Sequence, residues 1–194
     1  MMRRLCPILV VAVALTACET PDPAPQYPDI TFGHLATIKL DVGAVDYIQA
    51  YAPPAKSPNV EHLFPIRISQ VARRWADERI EPVGVISRIA RVTLLNASVI
   101  GSALETTPGI KGAFTIDQAA RYDATVEILI EIINSQGVIE GQAKAIARRA
   151  TTAPESITLN ERDQLWFELT EAVMADLDRE MEATIKKYLG KYVR

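Results

Sequence analysis

The two histidines of the chain, His34 and His62, are the first residues to weigh for catalysis or metal binding. Neither belongs to a cluster with metal-ligand spacing, and Cys6 and Cys18 lie near the N-terminus, apart from both histidines. His62 follows Glu61, and a positioned histidine–carboxylate pair can serve as a general acid or base. We favour the other interpretation, a loop histidine that orients the start of the first helix. The sequence therefore predicts no catalytic, metal-binding or cofactor-binding residue.

Other motifs that carry chemistry are missing from the sequence. It has neither a GxSxG serine elbow nor a phosphate-binding GK[ST] loop, and Gly109–Gly112 is typical of a turn. Arg148-Arg149 is interpreted as solvent-facing charge rather than a phosphate site. The last predicted helix carries a dense acidic set, interpreted as a solvated face rather than a surface for cations or a basic partner. That set comprises Glu161, Asp163, Glu168, Glu171, Asp176, Asp178, Glu180 and Glu182.

The N-terminal segment, residues 1–17, has the parts of a bacterial export signal. Arg3 and Arg4 precede an apolar run over Leu5–Leu15, and small residues follow. A transmembrane helix is the alternative, but a span needs about 20 apolar residues and this shorter run contains a proline. A plain secretory signal would not need the cysteine at its end.

That cysteine, Cys18, ends the motif Leu15-Thr16-Ala17-Cys18, which resembles the lipobox of bacterial lipoproteins. The resemblance implies cleavage before Cys18 by signal peptidase II and attachment of lipid, palmitate included, to Cys18. Several acyl chains would hold the protein stably on a membrane. Glu19 follows the cysteine where the familiar sorting rule places Asp for the inner membrane, so the outer membrane is favoured. The expected location is the periplasmic side of the cell envelope.

The composition of the chain after the signal segment limits its possible partners and cross-links. Loss of Arg3 and Arg4 takes the formal charge from −3 to −5, so we expect no nucleic-acid partner. The cysteine positions leave the folded part without a disulfide or a free thiol. Residues 18–34 contain four spaced prolines and are predicted to form a lipidated tether, extended or disordered. Residues 35–194 have the length of a single domain.

Apolar periodicity predicts six elements in the order β-α-β-β-β-α. The segment 138–151 is ambiguous because its residues are good helix formers, yet small residues alternate there with polar ones; we choose a strand. A change of parity in the first strand indicates a bulge at Gly43. The predicted strands cover 35–51, 88–104, 122–133 and 138–151, and the helices cover 66–80 and 159–189.

These elements predict an α+β fold, a two-layer α/β sandwich. Two helices would cover one face of a mostly antiparallel four-stranded sheet, with 88–104 as a central strand and a long C-terminal helix. Thr158-Leu159-Asn160-Glu161 matches a capping box at the start of that helix. Near its other end, Tyr188 and Tyr192 are interpreted as capping the core, with a membrane or partner surface as the alternative.

The mature chain resembles small envelope lipoproteins of alphaproteobacterial type that have no assigned function. The matching segments are Val60–Pro65, Gln118–Asp123, and Glu161-Arg162 followed by Trp166. Trp75-Ala76 on an early helix, with a strand hairpin before a final helix, is similar to the auxiliary lipoproteins of ABC-type transporters. This resemblance implies a membrane-anchored, non-catalytic accessory in envelope assembly or transport with an envelope protein partner. The alternative is an envelope hydrolase, acting on cell wall or esters through carboxylates.

Overall fold

The computed structural model describes residues 26–84, 86–104 and 118–194. The predicted Cys18 site and the turn Gly109–Gly112 lie outside these residues. The described elements are β1 (Ile38–Leu40), β2 (Ala44–Gln49), α1 (Ile68–Arg79), β3 (Ile80–Pro82), β4 (Arg88–Ala103), β5 (Gln118–Asn134), β6 (Ile139–Pro154) and α2 (Leu159–Tyr188), with short 3-10 turns at Glu61–Leu63 and Gly190–Tyr192.

A four-stranded sheet in the order β2-β4-β5-β6 forms one layer, and the two helices form the other. β2 runs parallel to β4, whereas the β4–β5 and β5–β6 pairs are antiparallel. The α+β class, the mostly antiparallel four-stranded sheet and the long C-terminal helix are therefore confirmed. The predicted central strand, β4, does lie between two neighbours, although Leu95 and Ile100 on its outer face remain more than one-third exposed.

The β5–β6 hairpin follows directly from side-chain alternation. Alternate apolar residues of β5 are buried, and they pair with a row of alanines in β6: Val126 with Ala147, Ile128 with Ala145 and Ile130 with Ala143. Because these alanines are small, α2 can pack closely over β6. The segment 138–151 is thus a strand, as chosen.

The prediction of one continuous first strand, 35–51 with a bulge at Gly43, is wrong. The chain breaks at residues 41–43 into β1 and β2, which belong to different sheets. The backbone explains the break: the Asp41 amide donates to the Tyr192 carbonyl at 2.7 Å, and the Gly43 amide donates to the Arg88 carbonyl at 2.9 Å. The change of parity therefore marks a transfer between sheets.

Sequence patterns contain no sign of β3, a three-residue strand that directly follows α1. It pairs in parallel with β1, with Ile38 opposite Ile80, and forms a small second sheet. Pro82 ends it, consistent with the predicted stop after the first helix. The element order is therefore that of the prediction with two short strands added, one on each side of α1.

The two ends of the long helix differ from each other in how they are held. At its start, the Thr158 amide donates to Glu161 Oε2 at 2.8 Å and the Glu161 amide donates to Thr158 Oγ1 at 3.3 Å, which is the predicted capping box. At its finish, Tyr192 is buried and caps the core, whereas Tyr188 is 57% exposed. Among the described residues, no helix is long and apolar enough to cross a membrane.

Packing begins before residue 35. Ile30 and Phe32 are buried in the core, and the Tyr27 ring stacks on Phe167 with centroids 5.2 Å apart. The Phe32 amide also donates to a carboxylate oxygen of Glu78 on α1. From Tyr27 onward, the segment predicted as the end of the tether therefore lies against the domain.

Candidate functional site

The chain reaches the folded domain at the N-terminal end of α2. Besides its stacking on Phe167, Tyr27 directs its hydroxyl at the Asn160 carbonyl, 3.5 Å away. Gln26 is eight positions after Cys18, and an extended chain covers at most about 3.3–3.6 Å per residue, roughly 26–29 Å in all. A lipid on Cys18 would therefore lie within about 30 Å of this end of the domain.

The Glu61–His62 pair considered for acid–base chemistry is not formed. Glu61 is buried and turns toward β4 and the preceding loop, where it accepts from the Tyr51 hydroxyl at 2.7 Å and from the Val99 amide at 3.2 Å. Burial, and then the hydrogen bond to Glu61, raises the pKa of Tyr51 above its ordinary 10.0. Among the described residues, His62 Nδ1 has no hydrogen-bond partner. Glu61 thus acts as a structural acceptor that fastens the loop to the sheet.

A buried ion network joins the two helices. Trp75 Nε1 and Arg79 Nε both donate to Asp178 Oδ1, at 2.8 and 2.6 Å, and a second nitrogen of Arg79 donates to Glu182 Oε2 at 2.8 Å. The side chains of Arg79 and Asp178 are only 2% and 9% exposed. The interpretation of Asp178 as part of a solvated acidic face is wrong, because this residue faces α1.

The spacing of these residues in the sequence could have indicated this network. Trp75 and Arg79 are four residues apart on α1, and Asp178 and Glu182 are four residues apart on α2, so each pair lies on one face of its helix. Arg79 also continues the core-facing series of α1, and Asp178 directly follows the buried Leu177. A charged residue in a core-facing position indicates a buried partner.

Arg149 is also used within the domain. Its guanidinium pairs with Asp176 on α2, and that hydrogen bond is the main reason why the pKa of Asp176 lies below its ordinary 3.8. Arg148, its neighbour, is exposed on β6. The structure therefore does not bring the two arginines together as a phosphate site.

A cavity of about 560 Å³ lies between the segment 28–35 and α2. Its walls are mostly apolar, from Ile30, Phe32, Leu35 and Phe167. His34, Glu171, Asp178 and Arg179 supply its polar groups. His34 therefore shares this cavity with carboxylates, but no three or more His, Cys, Asp or Glu side chains of the described residues are grouped so that they could hold a metal ion.

A second polar cluster surrounds Tyr192 at the far end of α2. Arg88 Nε donates to Glu140 Oε2 at 2.8 Å, and the Tyr192 hydroxyl lies 3.3 Å from the same oxygen. Arg194 pairs with Asp41 beside them. The hydrogen bond from Arg88 is the main cause that lowers the pKa of Glu140 below 4.5. This cluster fastens the ends of β4, β6 and the C-terminal turn to one another.

No protein-family model matches the chain, and neither does any curated protein. Among solved structures, it is similar to rare lipoprotein B from Shewanella oneidensis, with 13% identity over 75% of this chain and 96% of that one and a TM-score of 0.41. A minor lipoprotein from Acinetobacter baumannii has 14% identity over 74% and 88% of the two chains, with a TM-score of 0.37.

A Xanthomonas campestris protein of the DUF330 family has 10% identity, covers 84% and 94% of the two chains, and has a TM-score of 0.34. Two of these three similar structures are therefore bacterial lipoproteins by name. The TM-scores of all three are below 0.5.

Proposed function

We propose that this chain is a lipid-anchored lipoprotein of the bacterial cell envelope, held on the periplasmic side through Cys18. The observation that carries the proposal is the motif Leu15-Thr16-Ala17-Cys18 at the end of a signal-like segment. A proline-rich stretch follows and leads to the domain at Tyr27. Glu19, directly after the cysteine, favours the outer membrane over the inner membrane.

The role we propose is that of a non-catalytic accessory in envelope assembly or transport. Two observations support this role over a carboxylate-dependent hydrolase. The buried carboxylates of Glu61 and Asp178 are each held by donors of the protein itself. A general acid needs a pKa raised toward neutrality, and every carboxyl group with a resolved shift in the described chain is shifted downward.

Metabolic labelling with a palmitate analogue tests the anchor. We expect the wild-type chain to carry the label and Cys18→Ser to lose it to background, because the serine cannot serve as the modified thiol. Cys6→Ser is the matched control, since position 6 lies in the segment that cleavage would remove. Equal labelling of Cys18→Ser and wild type would refute the proposal.

Crosslinking in intact cells tests the accessory role. We expect a stable complex of the anchored chain with a component of an envelope transporter or assembly machine, identified after copurification. If the chain remains without such a component and instead degrades cell-wall fragments or esters, the hydrolase is the better description.

A further inference from the structure

Exposed apolar side chains gather at the end of the molecule where α2 finishes. Ile86, in the loop before β4, is 94% exposed. Val83, Val138, Ile139 and Tyr188 are between 43% and 57% exposed. We call these five residues, with Lys187 and Lys191, the lysine end. Exposed apolar side chains that form one contiguous patch are typical of a surface that meets a partner or a membrane.

Backbone and side-chain contacts place these residues at one end. The Val83 amide donates to Leu40, which is bridged to Val193 just after the C-terminal turn. Arg88, two residues after Ile86, is joined to Glu140, which directly follows Ile139. Gly141 in turn lies against Leu189, the residue after Tyr188. The loop between β3 and β4, the turn between β5 and β6, the C-terminal turn and the end of α2 therefore lie together at the lysine end.

The lysine end is positively charged although the chain as a whole is acidic. Lys187 Nζ lies 4.9 Å from the centroid of the Tyr188 ring, and Lys191 Nζ lies 4.7 Å from that of Tyr192. Within the described ranges, neither lysine has a carboxylate within 4 Å. The neighbouring acids Glu140 and Asp41 are paired with arginines. The two lysines are therefore available to an anionic partner.

The residue types distinguish between two kinds of partner. Protein interfaces favour arginine over lysine, and their cores exclude lysine. Bilayer surfaces, in contrast, collect lysine and tyrosine at the level of the head groups, with aliphatic side chains just below. From this combination we infer that the lysine end docks on the head groups of an anionic bilayer.

The position of the lysine end relative to the anchor gives the domain an orientation, and this step rests on the proposed function. Tyr27 contacts Asn160 and Phe167, 28 and 21 residues before Tyr188, so at 1.5 Å per residue the lysine end lies about 32–42 Å away along α2. The stretch from Cys18 to Gln26 extends at most about 29 Å. With the lysine end on the leaflet, Tyr27 can lie no more than about 29 Å above that leaflet, so α2 is tilted away from the membrane normal.

A fluorescent label at position 86 tests the docking. The lipidated chain has no free thiol, so Ile86→Cys can be labelled alone with an environment-sensitive dye and reconstituted in vesicles. When phosphatidylglycerol is mixed into phosphatidylcholine, we expect a blue shift of the emission and several-fold stronger quenching by brominated lipids. The double variant Lys187→Glu, Lys191→Glu should lose both responses.

Ser156→Cys is the matched control, since Ser156 is exposed near the start of α2, closer to the anchor. Equal responses at both positions that survive Lys187→Glu, Lys191→Glu would show general crowding at the bilayer and would overturn the inference. The inference would also be overturned if the emission and quenching of the Ile86→Cys label did not change when phosphatidylglycerol is added. If mass spectrometry finds Cys18 unmodified, the proposed anchor is refuted. Docking is then tested separately by adding vesicles to the labelled double variant Cys18→Ser, Ile86→Cys.

Discussion

At the scale of single residues, Asp178 is the centre of the buried ion network between α1 and α2. One of its carboxylate oxygens accepts from both the Trp75 indole and the Arg79 guanidinium. A charged group taken out of water needs such compensation, because the interior solvates it poorly. The three side chains therefore depend on one another, and they fix the distance and rotation between α1 and α2.

We expect Asp178→Asn to lower the free energy of unfolding by about 3–5 kcal/mol, because it leaves the buried Arg79 without its closest counter-charge. Urea denaturation monitored by circular dichroism measures the change. Asp176→Asn is the matched control two residues away: its partners Arg149 and Arg179 are 49% and 67% exposed, so the loss should stay under about 1 kcal/mol. Equal losses in the two variants would contradict the role assigned to the network.

The outcome at Asp178 shows what a single sequence can and cannot predict about individual residues. The density of acids on α2 correctly indicated an amphipathic helix, and most of those acids are exposed or partly exposed. Burial of Asp178 depends instead on Arg79, about a hundred residues earlier, and helical periodicity carries no information about which residue of another helix is opposite. Local patterns therefore identify faces, whereas pairing across the fold needs the structure.

At the scale of elements, the contact between β6 and the end of α2 depends on a position without a side chain. A Cβ atom at Gly141 would lie 2.9 Å from Leu189 Cδ2 and 3.1 Å from Tyr192 Cε2. Both neighbours are buried and have little room to move. The absence of a side chain at Gly141 is therefore a packing requirement at this end of β6.

We expect Gly141→Val to lower the free energy of unfolding by about 1–3 kcal/mol through overpacking, and Gly141→Ala to lower it less. Thermal and urea denaturation of the series measure this effect. Gly33→Ala is the control, because a Cβ atom at that position would have no atom within 4 Å, and its change should be within about 0.5 kcal/mol. A stabilised Gly141→Val would contradict the close contact.

The elements themselves were largely predictable. Strict alternation over β5 and the capping box of α2 are strong local signals, and both were located within a few residues. The failures share one physical cause: β1, β3 and the break at residues 41–43 are defined by backbone hydrogen bonds to distant residues such as Tyr192. Three-residue strands carry too little side-chain pattern to be recognised without those partners.

At the scale of the whole molecule, carboxylates at several places are held in their charged form. Hydrogen bonds from Arg88 to Glu140, from the Thr158 amide to Glu161 and from Lys186 to Glu182 lower these pKa values below 4.5. A carboxyl group with a lowered pKa stabilises the folded state above its ordinary pKa. That stabilisation disappears as the pH falls through the pKa of the folded state.

We therefore expect the free energy of unfolding to fall as the pH drops below 4.5, where these groups begin to bind protons in the unfolded chain. Glu140→Gln should make this fall shallower, and Arg88→Met should do the same because it removes the main cause of the shift. Urea denaturation across the acid range measures the slope. A protein that becomes more stable on acidification would contradict the assignment.

The sequence predicts the function only to the level of a location. The Leu15–Cys18 motif is local, so its type and spacing indicate an anchor without any knowledge of the fold. The lysine end, in contrast, is assembled from three loops and a helix end that are far apart along the chain. Tyr188 and Tyr192, four residues apart, illustrate the difference: one is exposed and the other caps the core.

The attachment of β1 to the C-terminal turn has a consequence for biosynthesis. The Arg194 amide donates to Lys39 at 3.0 Å, and Val193 is bridged to Leu40, so the first strand is completed by the last residues of the chain. Contacts of such long sequence separation form late and slowly. While residues 192–194 are still untranslated, β1 can pair with β3 but lacks these contacts on its other side, so the small sheet is completed only after the C-terminal turn has been made.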